Sequence, residues 1–429
     1  MPDQQGKLRE IAWNEICPWL ILTRCVRIAL LIRVLMLGTV GLIVVTAGWK
    51  LITFFVFDGI DDPVLLKWRT TGCQWVWQNS TDFTVSASQT PESAGELFKT
   101  AMAGLTEAPI ELWNHLTRPF VDLFDKDLTL PGFFCLLLCG VWEIIVWGLV
   151  GGAITRIAAL SLTRSEIPDL GQVIRFAWGS LVSYSLAPLM VMAAAALFAI
   201  QLVVLGLGMQ LDWLALIAAV LWPLVLVYGL FMALILLGLL VGWPLMWATI
   251  SVEGTDAFDA VSRSYAYTYQ RPLRLIWYVF FAGLIGTFGM FVVKAFALAT
   301  IGLGDWAVSF GLDQGTMAQV VVQRDFPVGD GDQAAGPEGV LQIAHQVIGF
   351  WKSMLTAVAA GYQASFLWVS AVGIYLLLRR DIDAAEVDEV FDDDDEPDFG
   401  MPPLEVDEMN IPEVVVDRPA EAGDTTLDN

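Results

Sequence analysis

Six long apolar runs, set apart by polar stretches, constrain this chain more than any other feature: Val34–Phe57, Phe133–Ile154, Leu181–Leu207, Trp213–Ile250, Leu275–Leu298 and Leu355–Leu378. A bilayer's hydrocarbon core is about 30 Å thick and takes roughly 20 apolar helical residues to cross. Lipid offers backbone N–H and C=O groups no partner, so each run has to satisfy its own as a helix. Composition follows from the same runs: 56% of the 429 residues are hydrophobic and 16% are charged, where a soluble domain carries about a quarter charged. The fold class read from the sequence is therefore all-α, a polytopic transmembrane helical bundle with about six spans.

The fourth run is overlong and contains Pro223 and Pro244. It reads as one kinked helix projecting past the membrane or as two short ones. Basic residues arbitrate, because Lys and Arg collect on the cytoplasmic side close to helix ends. Lys7, Arg9, Arg24, Arg27 and Arg33 precede the first run; Arg156, Arg164 and Arg175 lie between the second and third. Arg263, Arg271 and Arg274 lie between the fourth and fifth, and Arg379 and Arg380 follow the sixth. The intervening segments 58–132 and 299–354 are longer and hold only seven bases. This alternation requires a single crossing over Trp213–Ile250, and it places both termini in the cytoplasm.

Three parts follow. Residues 1–33 form a cytoplasmic N-terminus with an interfacial helix, 34–380 a six-span membrane domain with outer loops 58–132 and 299–354, and 381–429 an acidic cytoplasmic tail. The tail holds 19 of the 46 acidic residues and one base, Arg418, so it supplies −18 of the net −23. It is too charged to build a core and reads as disordered. Anionic lipid repels it, and Leu404–Val416 is its candidate segment for a protein partner. No basic patch suits nucleic acid, so the expected partners are the bilayer and a protein bound by the tail. The N-terminus lacks signal-peptide form, since Glu10 and Glu15 interrupt it, and the first run reads as a retained span.

A short pattern recurs before three of the spans. Trp19, Leu22 and Arg24, then Leu170, Val173 and Arg175, then Phe258, Val261 and Arg263 share one spacing: apolar, two residues, apolar, one residue, Arg. An apolar pair at i and i+3 lies on one helical face, which suits a short helix at the membrane surface. Pro18, Asp169 and Asp256 mark the helix starts. The architecture would be three repeats, each an interfacial helix plus a helix pair, with Arg24, Arg175 and Arg263 as interfacial arginines. The third unit, Ser251–Pro272, with its Glu253-Gly254, Asp256-Ala257 and Ser262, resembles a segment of uncharacterised bacterial multi-pass membrane proteins. More loosely, the chain is similar to the membrane domain attached to some glycerophosphodiester phosphodiesterases. The resemblance implies a bacterial inner-membrane protein and, with no catalytic domain alongside, no phosphodiesterase activity.

Candidate chemistry is sparse. Glu143 lies near the middle of the second span, where a lone charge is costly and marks a functional or paired site. Lys50 and Lys294 fall in the outer halves of their spans and are its candidate partners. The site reads as a proton or ion pathway, as a buried pair or neutral carboxyl holding helices together, or as a misplaced span boundary or lysines that snorkel outward. Cys135, Cys139 and Glu143 share one face, yet thiols in apolar surroundings are inert, so no metal is expected. Cys135 is also a conceivable partner for Cys73, in the outer segment. Asp325–Asp332 lacks the spacing of a calcium loop. Paired glycines (Gly148 and Gly152, Gly238 and Gly242, Gly283, Gly286 and Gly289, Gly38 and Gly41) predict close helix packing. Trp68, Trp75, Trp77, Trp113, Trp277, Trp351 and Trp368 are expected at the interfaces, Trp142 and Trp147 in the core. Ser93–Phe124 has helical periodicity with breaks expected at Pro109 and Pro119. With no catalytic triad, phosphate loop or zinc motif, the chain reads as a non-enzyme without cofactors, a scaffold or, alternatively, a transporter or channel.

Overall fold

The computed structural model describes residues 18–56, 59, 62–75, 112–312, 339–385 and 390–391, with the strands Leu404–Val406 and Pro412–Val414. A 3-10 turn, Pro18–Leu20, leads into α1 (Ile21–Ala29), and α2 (Ile32–Leu51) follows. The segment after the first span contributes α3 (Pro63–Lys67) and α4 (112–122). Then come α5 (Leu130–Thr163), α6 (Leu170–Gly179), α7 (Leu181–Gly208) and α8 (Asp212–Val220). The last four are α9 (Trp222–Glu253), α10 (Ala257–Gln270), α11 (Pro272–Ser309) and α12 (Val340–Asp383). Six of these, α2, α5, α7, α9, α11 and α12, are long and apolar enough to cross a membrane, and the protein is an all-α integral membrane bundle.

Each arginine of the recurring pattern sits on a short helix, or at its edge, directly ahead of a span: Arg24 on α1, Arg175 on α6, Arg263 on α10. The local signals act as read. Asp169 accepts from Gly171 N at 3.0 Å to start α6, and Asp256 accepts from Asp259 N at 2.9 Å to start α10, satisfying backbone donors left open by the first turn. Gly254 ends α9 with φ +65°, a left-handed conformation that glycine adopts without steric cost. The inner member of each apolar pair turns to the bundle: Leu22 and Val173 are buried and Val261 packs on the core. Phe258, the outer member of the third pair, is 70% exposed.

The overlong fourth run resolves differently from either expectation. The chain breaks at Leu221, so α8 is a short separate helix and α9 alone is span-length. Pro223 sits in the first turn of α9, where its missing N–H leaves no hydrogen bond unmade. Pro244 lies inside α9 without ending it. Nor does Pro119 break α4, which runs on to 122. The segment 299–354 is partly helix: α11 extends to Ser309 and α12 begins at Val340, and Lys352 ties to Asp305 at 2.7 Å. Ser93–Glu111, Asp325–Asp332, Pro109, Trp77 and Cys17 lie outside the described residues.

α12 is the central helix. Buried residues make up 89% of its most apolar stretch, against 6% for α9, and it packs on α1, α2, α5, α9 and α11. Glycine sets how closely. A Cβ at Gly38 would stand 2.6 Å from Gly361 O, so α2 and α12 meet backbone to backbone, and Ser365 Oγ donates to Val34 O at 2.8 Å beside them. Gly148 and Gly152 receive Leu181 and Tyr184 of α7; Gly238 and Gly242 receive Tyr265 and Ser264 of α10; Gly286 and Gly289 receive Phe366 and Tyr362 of α12. Gly283 faces open space instead. Taken by itself, the unit from Phe391 onward holds an antiparallel pair, Leu404–Val406 with Pro412–Val414, in register Leu404 to Val414. The tail is therefore not wholly unstructured: alternation in Leu404-Glu-Val406 and Pro412-Glu-Val414 suits a two-residue period.

Candidate functional site

Two polar features stand out in a bundle this apolar. The first is Glu143, 3% exposed on α5, with neither carboxyl oxygen hydrogen-bonded among the described residues. Aromatic contacts flank it along α5, one turn away on each side. One turn before it, Cys139 O accepts from Trp49 Nε1 at 3.1 Å; Trp49 contacts Trp68 and His115 at centroid distances of 5.0 and 4.7 Å. One turn after it, Trp147 meets Trp368, which stacks on Trp247 at 4.5 Å, and Trp243 and Trp113 continue the cluster. Indole N–H groups of Trp68, Trp147 and Trp368 are also unpartnered and buried. Burial, then the nearby Arg118, lowers the His115 pKa to about 4, so the imidazole is a neutral ring near neutral pH.

Neither candidate lysine reaches Glu143. Lys50 Nζ sits 4.2 Å over the Trp75 ring, and Lys294 is half-buried on α11 without a hydrogen bond to either Glu143 oxygen. Similar depth in the membrane brings two side chains together only when both also turn to the same side: α2 and α5 pack on each other, but Lys50 turns to Trp75 instead. Cys73 and Cys135 are both free thiols, and burial pushes the Cys73 thiol up to about 11. Among the described residues no three His, Cys, Asp or Glu side chains converge as a metal set. Trp68 and Trp368, expected at interfaces, are fully buried, whereas Trp277 and Trp351 are exposed near helix ends.

The second feature is a knot of charged and hydroxyl groups at the arginine-rich end, and most of it was not singled out by the sequence. Glu253, the last residue of α9, lies 2.5 Å from Arg263 Nη1 of α10 and 3.3 Å from Arg379 Nε of α12; it also accepts from Tyr375 Oη at 2.5 Å. Arg263 holds Asp259 as well, at 3.2 Å. Burial disfavours its charge, but Glu253 and Asp259 outweigh that and raise its pKa further. Around this centre, Asp381 of α12 takes Arg274 at 2.9 Å and Tyr278 Oη at 2.8 Å from α11, and Asp383 takes Tyr267 Oη from α10. Deeper in, Ser251 joins α9 to two more helices. Its hydroxyl meets Thr155 of α5 at 2.5 Å and Tyr184 of α7 at 2.7 Å; its carbonyl accepts from Arg156 at 2.9 Å. Arg156 also covers the Phe176 ring of α6 at 4.2 Å. Arg24 and Arg175 stay exposed outside the knot, and only Arg263 of the three repeat arginines enters it.

At the opposite end a smaller node does the same work. Asp62, 3% exposed, caps α3 through Val64 N and Leu65 N at 2.8 and 3.1 Å and accepts from Thr129 N and Oγ1 at 2.9 and 2.5 Å. Burial works to raise its pKa, and the bonds from Thr129, Leu65 and Val64 outweigh it, so the net shift is downward. Chemically, both nodes bind helix ends to one another, whereas Glu143 keeps a buried carboxyl without a hydrogen-bond partner among the described residues. Compared with family models, with curated proteins and with solved structures, the chain finds no match in any of the three.

Proposed function

We propose that this protein is a non-enzymatic scaffold or assembly component of a bacterial inner membrane, with both termini in the cytoplasm. The observation that carries the reading is the Glu253 knot. Its acids, bases and hydroxyls bind α9, α10 and α12 to each other, and the Asp381, Asp383 and Ser251 contacts extend the hold to α5, α7 and α11. A bundle tied in this way presents fixed faces, which is what an assembly platform needs. The clustering of arginines at that end supports a cytoplasmic placement, and the likeness of Ser251–Pro272 to bacterial multi-pass proteins supports the inner membrane. The tail, carrying −18 of net charge, suits a basic protein surface.

Transport through Glu143 is the second reading, favoured by one observation: a carboxyl near the middle of a span whose oxygens find no partner among the described residues. Carboxyls in such places mark proton and ion routes in many membrane proteins. The full chain and a Glu143→Gln variant, reconstituted in liposomes, separate the two. Scaffold function gives proton and monovalent-cation flux at the protein-free level for both proteins. Flux in the wild type that the glutamine variant loses would overturn it.

A further inference from the structure

α9 and α11 both lean on α12 but barely touch each other, and the space left between them is a cleft of about 430 Å³. Its floor is a stripe of α12 that includes Tyr362, Phe366 and Ile374; Pro244 and Val279 stand on the two walls. We infer that this cleft binds one hydrocarbon chain of an anionic phospholipid from the leaflet at the arginine-rich end. The inference needs only a membrane-spanning bundle and holds for a scaffold or a transporter alike.

Shape selects the occupant. Along α12 the floor runs from Tyr362 to Ile374, and along α11 the wall runs from Leu275 to Met290, so at 1.5 Å per residue the cleft is roughly 20 Å long, parallel to the helices. That spans one leaflet's share, about 15 Å, of a core about 30 Å thick and reaches slightly past the midplane. Spread over that length, the cavity volume gives a mean cross-section of about 20 Å². A transmembrane helix, about 10 Å across, does not fit, and a single extended acyl chain does. The lining is almost wholly apolar, as a lipid tail requires. Leu112 and Trp113 of α4 close off the far end, where Trp113 packs on Trp243.

The near end points to the headgroup. It starts at Leu275, next to Arg274 and one turn from Arg271. Arg274 pairs with Asp381 but stays half exposed. Arg271 is exposed, with no ion-pair partner among the described residues. Basic side chains at the rim attract anionic headgroups, so a phosphodiester whose negative charge no headgroup cation cancels is placed over Arg271 while its chain lies in the cleft. Gly283 provides the handle: it lines the cleft, and a Cβ there would meet nothing within 4 Å. A side chain added at 283 therefore starts in open cleft space rather than against a neighbouring helix.

The full chain is reconstituted in vesicles of equal phosphatidylglycerol and phosphatidylcholine, extracted in mild detergent, and read by native mass spectrometry. Wild type is expected to keep one phospholipid, with phosphatidylglycerol favoured roughly fivefold, the effect of one basic residue at the surface. Gly283→Phe should lose that lipid while its thermal midpoint stays within a few degrees. Arg271→Gln should keep a lipid but lose the preference. Should Gly283→Phe fail to fold, Val279→Trp, which fills the cleft from the same wall, replaces it. A wild type that carries no lipid, a folded cleft-filling variant that carries as much as wild type, or equal retention of the two lipids by wild type would each overturn the inference.

Discussion

Glu253→Ala tests whether the knot at the arginine-rich end holds the bundle together. Glu253 is 9% exposed and answers three groups at once: Arg263, Arg379 and Tyr375. Removing one partner of a buried ion pair costs about 3–5 kcal/mol, because the charge left behind has lost its compensation. Arg379, 14% exposed, loses this carboxylate as a partner. Arg263 differs: at 39% exposure it rehydrates and keeps Asp259 at 3.2 Å, so its share falls to the surface range, about 1 kcal/mol or less. Tyr375 loses one acceptor, about 1 kcal/mol. The loss is therefore expected near the middle of the buried range, about 4 kcal/mol. At about 2–4 °C per kcal/mol the thermal midpoint falls by roughly 10 °C. Intrinsic fluorescence of the detergent-solubilised protein during heating, or a denaturant titration, reads the change. Arg263→Ala and Tyr375→Phe should each cost about 1 kcal/mol. An alanine variant at 253 within 1 kcal/mol of wild type, or Arg263→Ala as costly as Glu253→Ala, would refute the assignment of Glu253 as the centre.

Two further outcomes follow from geometry. Asp62 has its folded pKa held below the unfolded value, so the stability it contributes is complete above about pH 4 and drains away as pH falls through the folded value; the stability gap between wild type and Asp62→Asn should be flat from neutral to about pH 5 and narrow below that, and a gap that widens in acid would contradict the sign. Gly361→Ala would bring a Cβ within 2.8 Å of Thr39 N and 2.9 Å of Thr39 Cα, backbone atoms that cannot rotate away, so it should destabilise by about 1–3 kcal/mol, whereas Gly283→Ala, facing open space, should leave the melting midpoint within a degree or two; equal effects would mean that α2 and α12 do not cross at glycine.

Much of the fold was readable because it depends on local signals. Span lengths, the caps at Asp169 and Asp256 and the three arginine-bearing short helices all depend on residues close in sequence, and the structure places them where those residues indicate. What depends on rotation about a helix axis was not readable. Glu143, Lys50 and Lys294 were grouped by depth, but Lys50 turns to Trp75. Hydropathy also points the wrong way for the centre of the bundle. The most apolar span, α9, is the least buried, and the least apolar, α12, is the most buried. A helix surrounded by helices needs small and hydrogen-bonding residues such as Gly361 and Ser365 to admit its neighbours, while a helix facing lipid needs only to be oily. Trp368 was placed at an interface for the same reason: its position in the run was visible, its position in the bundle was not. Glu253, Tyr375 and Arg379 were missed because the knot joins residues more than a hundred positions apart. The signal within reach was Glu253 in the Glu-Gly step, next to basic ends read only as markers of orientation.

The central place of α12 has a consequence for how the protein is made. Of the six described spanning helices it leaves the ribosome last, and its tightest crossing is with the earliest of them, where Ser365 reaches back across 331 positions to Val34. Until it arrives, α2 and α5 have been inserted with their mating faces towards lipid or towards whatever attends the nascent chain. Closing contacts this distant in sequence is the slow part of folding. The contacts of α12 are thus the last of these to form, and they close onto α2, α5 and α9, whose contacts with one another and with α7 do not depend on it.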